Sequence, residues 1–243
     1  MAYRLLKSFL IPILTLLFRP KVTGLRNVAH TGPVIIASNH LSFSDSIFMP
    51  LVVPRKVTFL AKSEYFTSPG FKGFLKKITF IALGQVPVDR SGGRRSEAAL
   101  LTGLSLLANG DCIGIYPEGT RSPDGRLYKG RTGIARLAIE SGAAVVPVAM
   151  FNTAEIQPTG QVVPKVRRVE MIFGEPMYFE GDSNDLKLLR EITDRIMNTI
   201  QAISGQEYVD MYASDAKLEL LKKAREDRAE SDEKDLDEES DDE

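Results

Sequence analysis

The sequence predicts an α/β domain with a largely parallel, twisted sheet flanked by helices. Short apolar or β-branched segments alternate with helix-like segments, which is the order typical of parallel sheets. Gly110 and Gly142 stand where helix-ending glycines belong. Hydrophobic residues make up 43% of the 243 residues, which is enough for a core. The predicted strands are 34–38, 57–61, 86–88, 111–116, 144–150 and 166–173, and the predicted helices between them are 44–53, 69–79, 95–109 and 130–141.

Residues 1–20 are predicted to form an N-terminal helix that associates with a membrane. The uncharged run from Ser8 to Phe18 is 11 residues long, whereas a helix needs about 20 to span a bilayer. An interfacial helix therefore fits this run better than a spanning one. The alternative is a helix that packs on the domain core. The basic residues that flank the run, and that would face anionic headgroups, are Arg4, Lys7, Arg19 and Lys21.

The C-terminal part divides by composition. Apolar residues in 184–203 recur on one helical face, so this helix is expected to complete a domain that covers residues 21–205. Residues 206–228 predict a more polar helix. Residues 229–243 contain ten acidic residues and one basic residue, and we expect them to form a disordered acidic tail. Without this tail, 22 acidic and 30 basic residues remain, so the body is basic and suits an anionic surface or a phosphorylated ligand.

Several classes of site have no support in the sequence. The single cysteine, Cys112, excludes an internal disulfide and favours a reducing compartment, and it lies in an apolar run where a buried side chain is expected. With only two histidines, ten residues apart, no metal site is predicted. A phosphate-binding glycine loop, a dinucleotide fingerprint and an aromatic-rich basic platform for nucleic acid are all missing from the sequence.

The first candidate site follows the strand 34–38. His40 and Asp45 are five residues apart, and on a straight helix they would point about 140° away from each other. They can meet only across a strand-to-helix turn, where a carboxylate would orient the imidazole as a general base. The spacing from Ser42 to Asp45 equally fits a capping box, in which the acid needs no catalytic role. The spacing alone leaves both interpretations open.

Three further segments follow Asn39-His40-x4-Asp45 along the chain. They are Val86-Pro87-Val88-Asp89-Arg90, Tyr116-Pro117-Glu118-Gly119-Thr120-Arg121 and Ala144-Val145-Val146-Pro147-Val148. Together the four segments resemble, in order, the four sequence blocks of the glycerolipid acyltransferase family, of which the 1-acylglycerol-3-phosphate acyltransferases are members. One departure is visible, because Tyr116 stands where the family usually has phenylalanine.

The resemblance implies a direct acyl transfer from a thioester, acyl-CoA or acyl carrier protein, to a lipid hydroxyl. His40 would take the proton of the acceptor hydroxyl and Asp45 would hold the imidazole. No metal or bound cofactor is implied. Glu118 is expected to orient an arginine or to bind the glycerol hydroxyl, since it would repel a phosphate directly. The residues expected to bind substrate are Asn39, Arg90, Glu118, Gly119, Thr120 and Arg121. The two arginines would bind the acceptor phosphate; the alternative is surface ion pairs, Arg90 with Asp89 and Arg121 with Asp124.

The function predicted on this basis is acylation of the sn-2 hydroxyl of 1-acylglycerol-3-phosphate to give phosphatidate. The expected partners are membrane lipids, lysophosphatidate and the acyl donor, and not nucleic acid. The expected location is the cytoplasmic face of a membrane, with a peripheral or monotopic attachment. Three alternatives remain at this point: the same chemistry on glycerol-3-phosphate, another lysophospholipid or a glycolipid; a non-catalytic protein that binds lipid phosphates; and a thioesterase that uses water.

Overall fold

A computed structural model describes residues 11–67, 69–70, 73, 77–78, 80, 84–88, 95–158, 161 and 164–241. Three sequence predictions lie wholly or mostly outside these residues. They are residues 1–10 of the predicted N-terminal helix, most of the predicted helix 69–79, and Arg90 with its alternative partner Asp89.

The described strands and helices alternate through most of the chain. The strands are β1 (Lys21–Thr23), β2 (Val34–Ser38), β3 (Val57–Lys62), β4 (Gln85–Val88), β5 (Cys112–Ile115), β6 (Leu127–Tyr128), β7 (Ala144–Phe151), β8 (Glu170–Phe173) and β9 (Tyr208–Val209). The helices are α1 (residues 11–18), α2 (Asp45–Val52), α3 (Glu64–Thr67), α4 (Arg95–Ala108), α5 (Gly133–Ser141), α6 (Thr153–Ile156), α7 (Leu186–Ser204) and α8 (Ala213–Asp241). One turn of 3₁₀-helix covers Leu25–Asn27.

The described strands form a mainly parallel sheet with the order β1-β8-β7-β2-β5-β3-β4. Among the strand pairs in the described part of the chain, only β7–β8 is antiparallel, and an isolated antiparallel bridge joins Val145 to Met177. A separate parallel pair joins β6 to β9. The predicted α/β class with a largely parallel sheet is therefore confirmed. The central strand β2 is buried along its whole length, as expected for a strand with neighbours on both sides and helices on both faces.

The sheet has a hydrophobic core on each face. On one face, Ile36 and Val146 pack with Phe48 of α2 and Phe18 of α1. On the other, a second cluster is formed by apolar residues of α4, α5 and α7. The apolar side chains of α7 recur at helical spacing and are buried, as the sequence predicted. The helix α7 begins after Asp185, whose side chain accepts the backbone N–H groups of Lys187 and Leu188. Cys112 is fully buried.

The described part of α1 has two different apolar faces. Phe18 is buried, and Ile11 and Leu14 pack against the core. On the other face, Leu16 is 75% exposed and Ile13 is 53% exposed. Of the helices in the described residues, none is long and apolar enough to cross a membrane.

The C-terminal segment differs from two predictions. The short strand β9 precedes the last helix, so that helix begins at Ala213 instead of residue 206. The backbone then stays helical to Asp241, through residues that we expected to be a disordered acidic tail. Residues 229–241 contain alanine, glutamate, lysine and leucine, which favour a helix, together with four aspartates and two serines, which favour it less.

Candidate active site

His40 and Asp45 meet across the turn between β2 and α2. His40 follows the last residue of β2 by two positions, and Asp45 is the first residue of α2. The Nδ1 atom of His40 lies 2.9 Å from Oδ2 of Asp45. The side chain of Asp45 is fully buried and that of His40 is 16% exposed. Because Nδ1 is engaged by the carboxylate, Nε2 is the ring nitrogen left for a substrate proton.

The carboxylate of Asp45 also holds the turn itself. Its Oδ2 atom accepts the backbone N–H groups of Leu41 and Ser42, each at 2.8 Å. The helix cap is Ser44 and not Ser42, and the hydroxyl of Ser42 donates to the carbonyl of Gln157, so the pair does not form a complete capping box. One oxygen of Asp45 thus holds the turn and also contacts the imidazole. The role of the pair in catalysis stays a prediction.

An aromatic stack fixes the other side of the imidazole. The rings of His40 and Tyr116 are parallel to within 9°, with centroids 3.8 Å apart. Phe59 stacks on Tyr116 in turn, with centroids 5.3 Å apart. Gly114 allows this approach, because a Cβ there would lie 2.3 Å from the ring of Phe59. The hydroxyl of Tyr116 pairs with that of Ser46 at 3.0 Å, so the substitution of tyrosine for phenylalanine adds one hydrogen bond inside the cavity.

Glu118 lies in the loop after β5, where its carboxylate organises the backbone. Oε1 accepts the N–H of His40 and Oε2 accepts the N–H of Tyr128, both at 3.0 Å. Burial raises the pKa of Glu118 from 4.5 to about 7, against the opposing effect of these two hydrogen bonds. The residue is 1% exposed. Glu118 therefore ties His40 to the loop and forms no ion pair with an arginine of the described chain, which corrects the expected role in orienting an arginine.

Asn39 also has an internal role. Its side chain is fully buried. The amide bridges β2 to the end of β7, because Oδ1 accepts the N–H of Met150 at 2.8 Å and Nδ2 donates to the carbonyl of the same residue. Nδ2 also donates to Gln206. Asn39 was predicted to contact the substrate directly. The structure instead places its amide between strands, and Asn39 does not line the cavity.

Gly119, Thr120 and Arg121 line the cavity, as their position after a parallel strand predicted. Gly119 adopts a φ of 76°, and a Cβ at this position would lie 3.0 Å from Nε of Arg131. Arg121 does not form the ion pair with Asp124 that was the alternative to phosphate binding. The carboxylate of Asp124 is instead held at 2.7 Å by Arg126, the next arginine along the loop.

Two more cations reach this loop. Arg131 donates its backbone N–H to the carbonyl of Pro117, and its guanidinium lies 4.7 Å from the ring centroid of Tyr212. Lys217 of α8 donates to the hydroxyl of Thr120 at 2.7 Å. Neither cation was predicted from the sequence, because each is brought to the loop only by the folding of distant segments. The only signal in the sequence was the Lys-Gly-Arg-Thr-Gly segment at 129–133, whose lysine pairs with an aspartate at position 210.

These residues surround a cavity of about 710 Å³. Its polar lining includes His40, Thr120, Arg121 and Arg131. Its apolar lining includes Phe43, Phe59, Phe80, Leu100, Ile134 and Leu137. The cavity can therefore hold a charged group and a hydrocarbon chain beside a base. Among the described residues, no group of three His, Cys, Asp or Glu side chains is arranged as metal ligands would be.

The sequence model of the acyltransferase family matches residues 19–151, which is more than half of the chain and includes His40, Asp45 and the loop with Arg121. The chain belongs to the acyltransferase family. Residue Lys217 and the whole of α7 and α8 lie beyond the matched part.

Named relatives agree with this assignment. The chain is 30% identical to a chloroplast 1-acyl-sn-glycerol-3-phosphate acyltransferase of Brassica napus, over 77% of this chain and 52% of that protein. It is also 30% identical to the 1-acyl-sn-glycerol-3-phosphate acyltransferase of Bacillus subtilis, over 72% of this chain and 82% of that one. The chain spans about half the length of the plant relative.

A solved structure shares the fold of this acyltransferase-family chain. It is the crystal structure of the 1-acyl-sn-glycerophosphate (LPA) acyltransferase PlsC from Thermotoga maritima. The two superpose with a TM-score of 0.57 at 23% identity, over 79% of each chain.

Proposed function

We propose that this protein transfers an acyl group from a thioester, acyl-CoA or acyl carrier protein, to the sn-2 hydroxyl of 1-acylglycerol-3-phosphate, giving phosphatidate. The observation that carries the proposal is the bond between His40 Nδ1 and Asp45 Oδ2, with His40 lining a cavity whose other lining residues include both cationic and apolar side chains. Relatives named for this activity support the choice of acceptor.

The reaction needs one base and no enzyme nucleophile. Nε2 of His40 takes the proton of the acceptor hydroxyl as its oxygen bonds to the thioester carbonyl carbon. The buried charge of Asp45, 2.9 Å from Nδ1, stabilises the imidazolium that forms. The carbon–sulfur bond then breaks, and the proton passes from His40 to the leaving thiolate. The products are the ester and the free thiol, and no acyl-enzyme is formed.

The cavity suggests where each substrate binds. The acceptor phosphate is assigned to Arg121, whose guanidinium has the fork geometry that matches phosphate oxygens. The apolar lining of the cavity, which includes Phe59 and Leu137, suits an acyl chain. A non-catalytic lipid-phosphate protein would need the arginines but would have no use for the oriented His40–Asp45 pair.

The test offers a labelled acyl donor, as acyl-CoA and as acyl carrier protein, with a panel of acceptors. The panel holds 1-acylglycerol-3-phosphate, glycerol-3-phosphate, 1-acylglycerophosphocholine and a reaction without acceptor. We expect labelled phosphatidate as the main product. Label in another lipid would reassign the acceptor, and free fatty acid released without acceptor would indicate a thioesterase.

The exposed face of α1 is proposed to hold the protein on a membrane surface. Ile13, Leu16 and Leu17 are spaced so that they share one side of the helix, opposite the side that packs on the core. Replacing all three with glutamine should weaken binding to vesicles that contain anionic lipid by about tenfold or more, given the apolar area removed. Leu101→Gln on α4, also an exposed leucine, is the matched control. Unchanged vesicle binding would show that another surface anchors the protein.

A further inference from the structure

Lys217 brings the C-terminal helix to the candidate active site. Its ammonium donates to the hydroxyl of Thr120 at 2.7 Å, across 97 residues of sequence. Partial burial and the nearby charge of Arg121 lower the pKa of this lysine below its usual value. A lysine held close to an arginine is repelled by its neighbour, so the arrangement favours the binding of an anion to both.

Three cations lie close to the loop with Thr120 and lack direct counter-charges within the described part of the chain. Arg121, Arg131 and Lys217 form no ion pair with any residue that the structure describes. Arg131 donates to the hydroxyl of Ser214, which in turn donates to Asp215.

The buried carboxylate of Glu118 neutralises this charge only in part. Glu118 interacts with Lys217 electrostatically, but burial raises the pKa of Glu118 to about 7. At neutral pH this carboxyl is therefore only partly ionised. Arg121, Arg131 and Lys217 together keep about two to three uncompensated positive charges.

We propose that Lys217 completes a site for a phosphomonoester dianion with Arg121 and Arg131, and that Lys217 makes the protein select a monoester over a phosphodiester headgroup. The inference rests on the proposed function for its choice of a lipid acceptor. A phosphomonoester carries close to two negative charges at pH 7, because its second pKa is about 6. A phosphodiester carries one negative charge, so it leaves one more of the positive charges uncompensated than a monoester dianion does.

The geometry gives each cation a distinct position. Arg121 lies in the loop that follows β5, and Arg131 lies beyond β6 with its side chain fixed by Tyr212 and Ser214. Lys217 approaches the same loop from α8. The side chain of Arg131 is held by Tyr212 and Ser214, and Lys217 belongs to α8. Residues 212–217, at the start of α8, therefore position two of the three cations.

The experiment measures binding of two soluble probes to the full chain by calorimetry. The probes are sn-glycerol 3-phosphate, a monoester, and glycerophosphocholine, a diester. Lys217→Gln should weaken glycerol 3-phosphate binding by roughly tenfold or more, the value of a charge-assisted hydrogen bond. Binding of the diester should stay nearly unchanged. Lys217→Arg should restore most of the affinity, and Lys222→Gln, an exposed lysine on the same helix, should behave as wild type.

Steady-state kinetics give the second measurement. In Lys217→Gln, the KM for 1-acylglycerol-3-phosphate should rise by about tenfold or more while the KM for the acyl donor stays unchanged. Equal affinity of wild type and Lys217→Gln for glycerol 3-phosphate, or no measurable binding by wild type, would overturn the inference. Binding that depends on Lys217 in a protein that makes no phosphatidate would support the site and reject the proposed function. Phosphatidate synthesis with the same KM in Lys217→Gln as in wild type would support the proposed function and reject the site.

Discussion

The imidazole of His40 lies flat against the ring of Tyr116, with centroids 3.8 Å apart and planes 9° apart. With Asp45 on Nδ1, this contact leaves the imidazole one orientation in the cavity. We therefore propose that Tyr116 is a positioning residue, which acts on the reaction through His40.

The first prediction separates the ring of Tyr116 from its hydroxyl. Tyr116→Phe keeps the stack and removes the hydrogen bond to Ser46, so unfolding free energy should fall by about 1 kcal/mol with little change in kcat. Tyr116→Leu removes the stack, and kcat should fall about tenfold, the value of an aromatic pair. The two variants are compared by urea unfolding and steady-state kinetics. Equal kcat values for Tyr116→Phe and Tyr116→Leu would exclude a positioning role of the ring.

The second prediction concerns the charge of Asp45. In Asp45→Asn, the amide oxygen can still accept from His40, Leu41 and Ser42, so the turn should persist. The negative charge that stabilises the imidazolium is lost. We expect kcat to fall about a hundredfold, with the KM of both substrates nearly unchanged. Asp227→Asn, an exposed acid on α8, serves as the control. A kcat close to wild type would show that Asp45 only caps the turn.

The third prediction distinguishes the two substrates. Arg121→Ala should raise the KM of the phosphorylated acceptor by roughly tenfold to a hundredfold and leave the KM of the acyl donor within about threefold. Arg126→Ala is a matched control from the same loop, because Arg126 pairs with Asp124 and does not line the cavity. Equal effects of Arg121→Ala on both substrates would count against the phosphate assignment.

The fourth prediction is a pH dependence of stability at Glu118. Burial raises the pKa of this carboxyl from 4.5 to about 7 in the folded state, so the folded state binds more protons than the unfolded state between these values. Its contribution to stability is therefore fully present below pH 4.5 and is lost as the pH rises through 7. The loss amounts to at most about 3 kcal/mol.

Glu118→Gln removes this titration. From about pH 5 to about pH 8, the unfolding free energy of wild type should fall more than that of the variant, as measured by urea unfolding at each pH. Glu219→Gln, exposed on α8, should keep the wild-type dependence. Parallel pH profiles of wild type and Glu118→Gln would contradict the prediction.

The strongly apolar strands were predictable from the sequence, whereas the strands that depend on partners were missed. Segments 34–38 and 144–150 match β2 and β7 to within one residue, since buried parallel strands need continuous apolar runs. Strand β1 is three residues long and mostly exposed, and it is held by its pairing with β8. Predicted strand 166–173 begins only at Glu170, because residues 164–168 are exposed and pair with no strand of the described chain.

The candidate site was predictable where function and local sequence coincide. His40 and Asp45 are close in sequence, so their meeting could be predicted from a turn. Arg131 and Lys217 reach the loop from separate elements. The Lys-Gly-Arg-Thr-Gly segment is the one local signal for Arg131, and no local pattern marks Lys217.

The buried polar residues of the site illustrate the opposite error. Asn39 and Glu118 stand at strand ends, where polar side chains were expected to bind substrate. Buried backbone N–H groups also need acceptors, and these two side chains supply them. The sequence offers no local sign that separates a polar residue serving the backbone from one serving a ligand.

The proposed role of His40 as the general base is tested most directly by the variant His40→Ala. Its rate of phosphatidate formation from acyl-CoA and 1-acylglycerol-3-phosphate is measured, together with binding of the acceptor on the same sample. We predict a fall in kcat of about a thousandfold or more with acceptor binding retained, because the cations hold the phosphate and His40 takes the proton. Turnover near the wild-type rate in His40→Ala would contradict it.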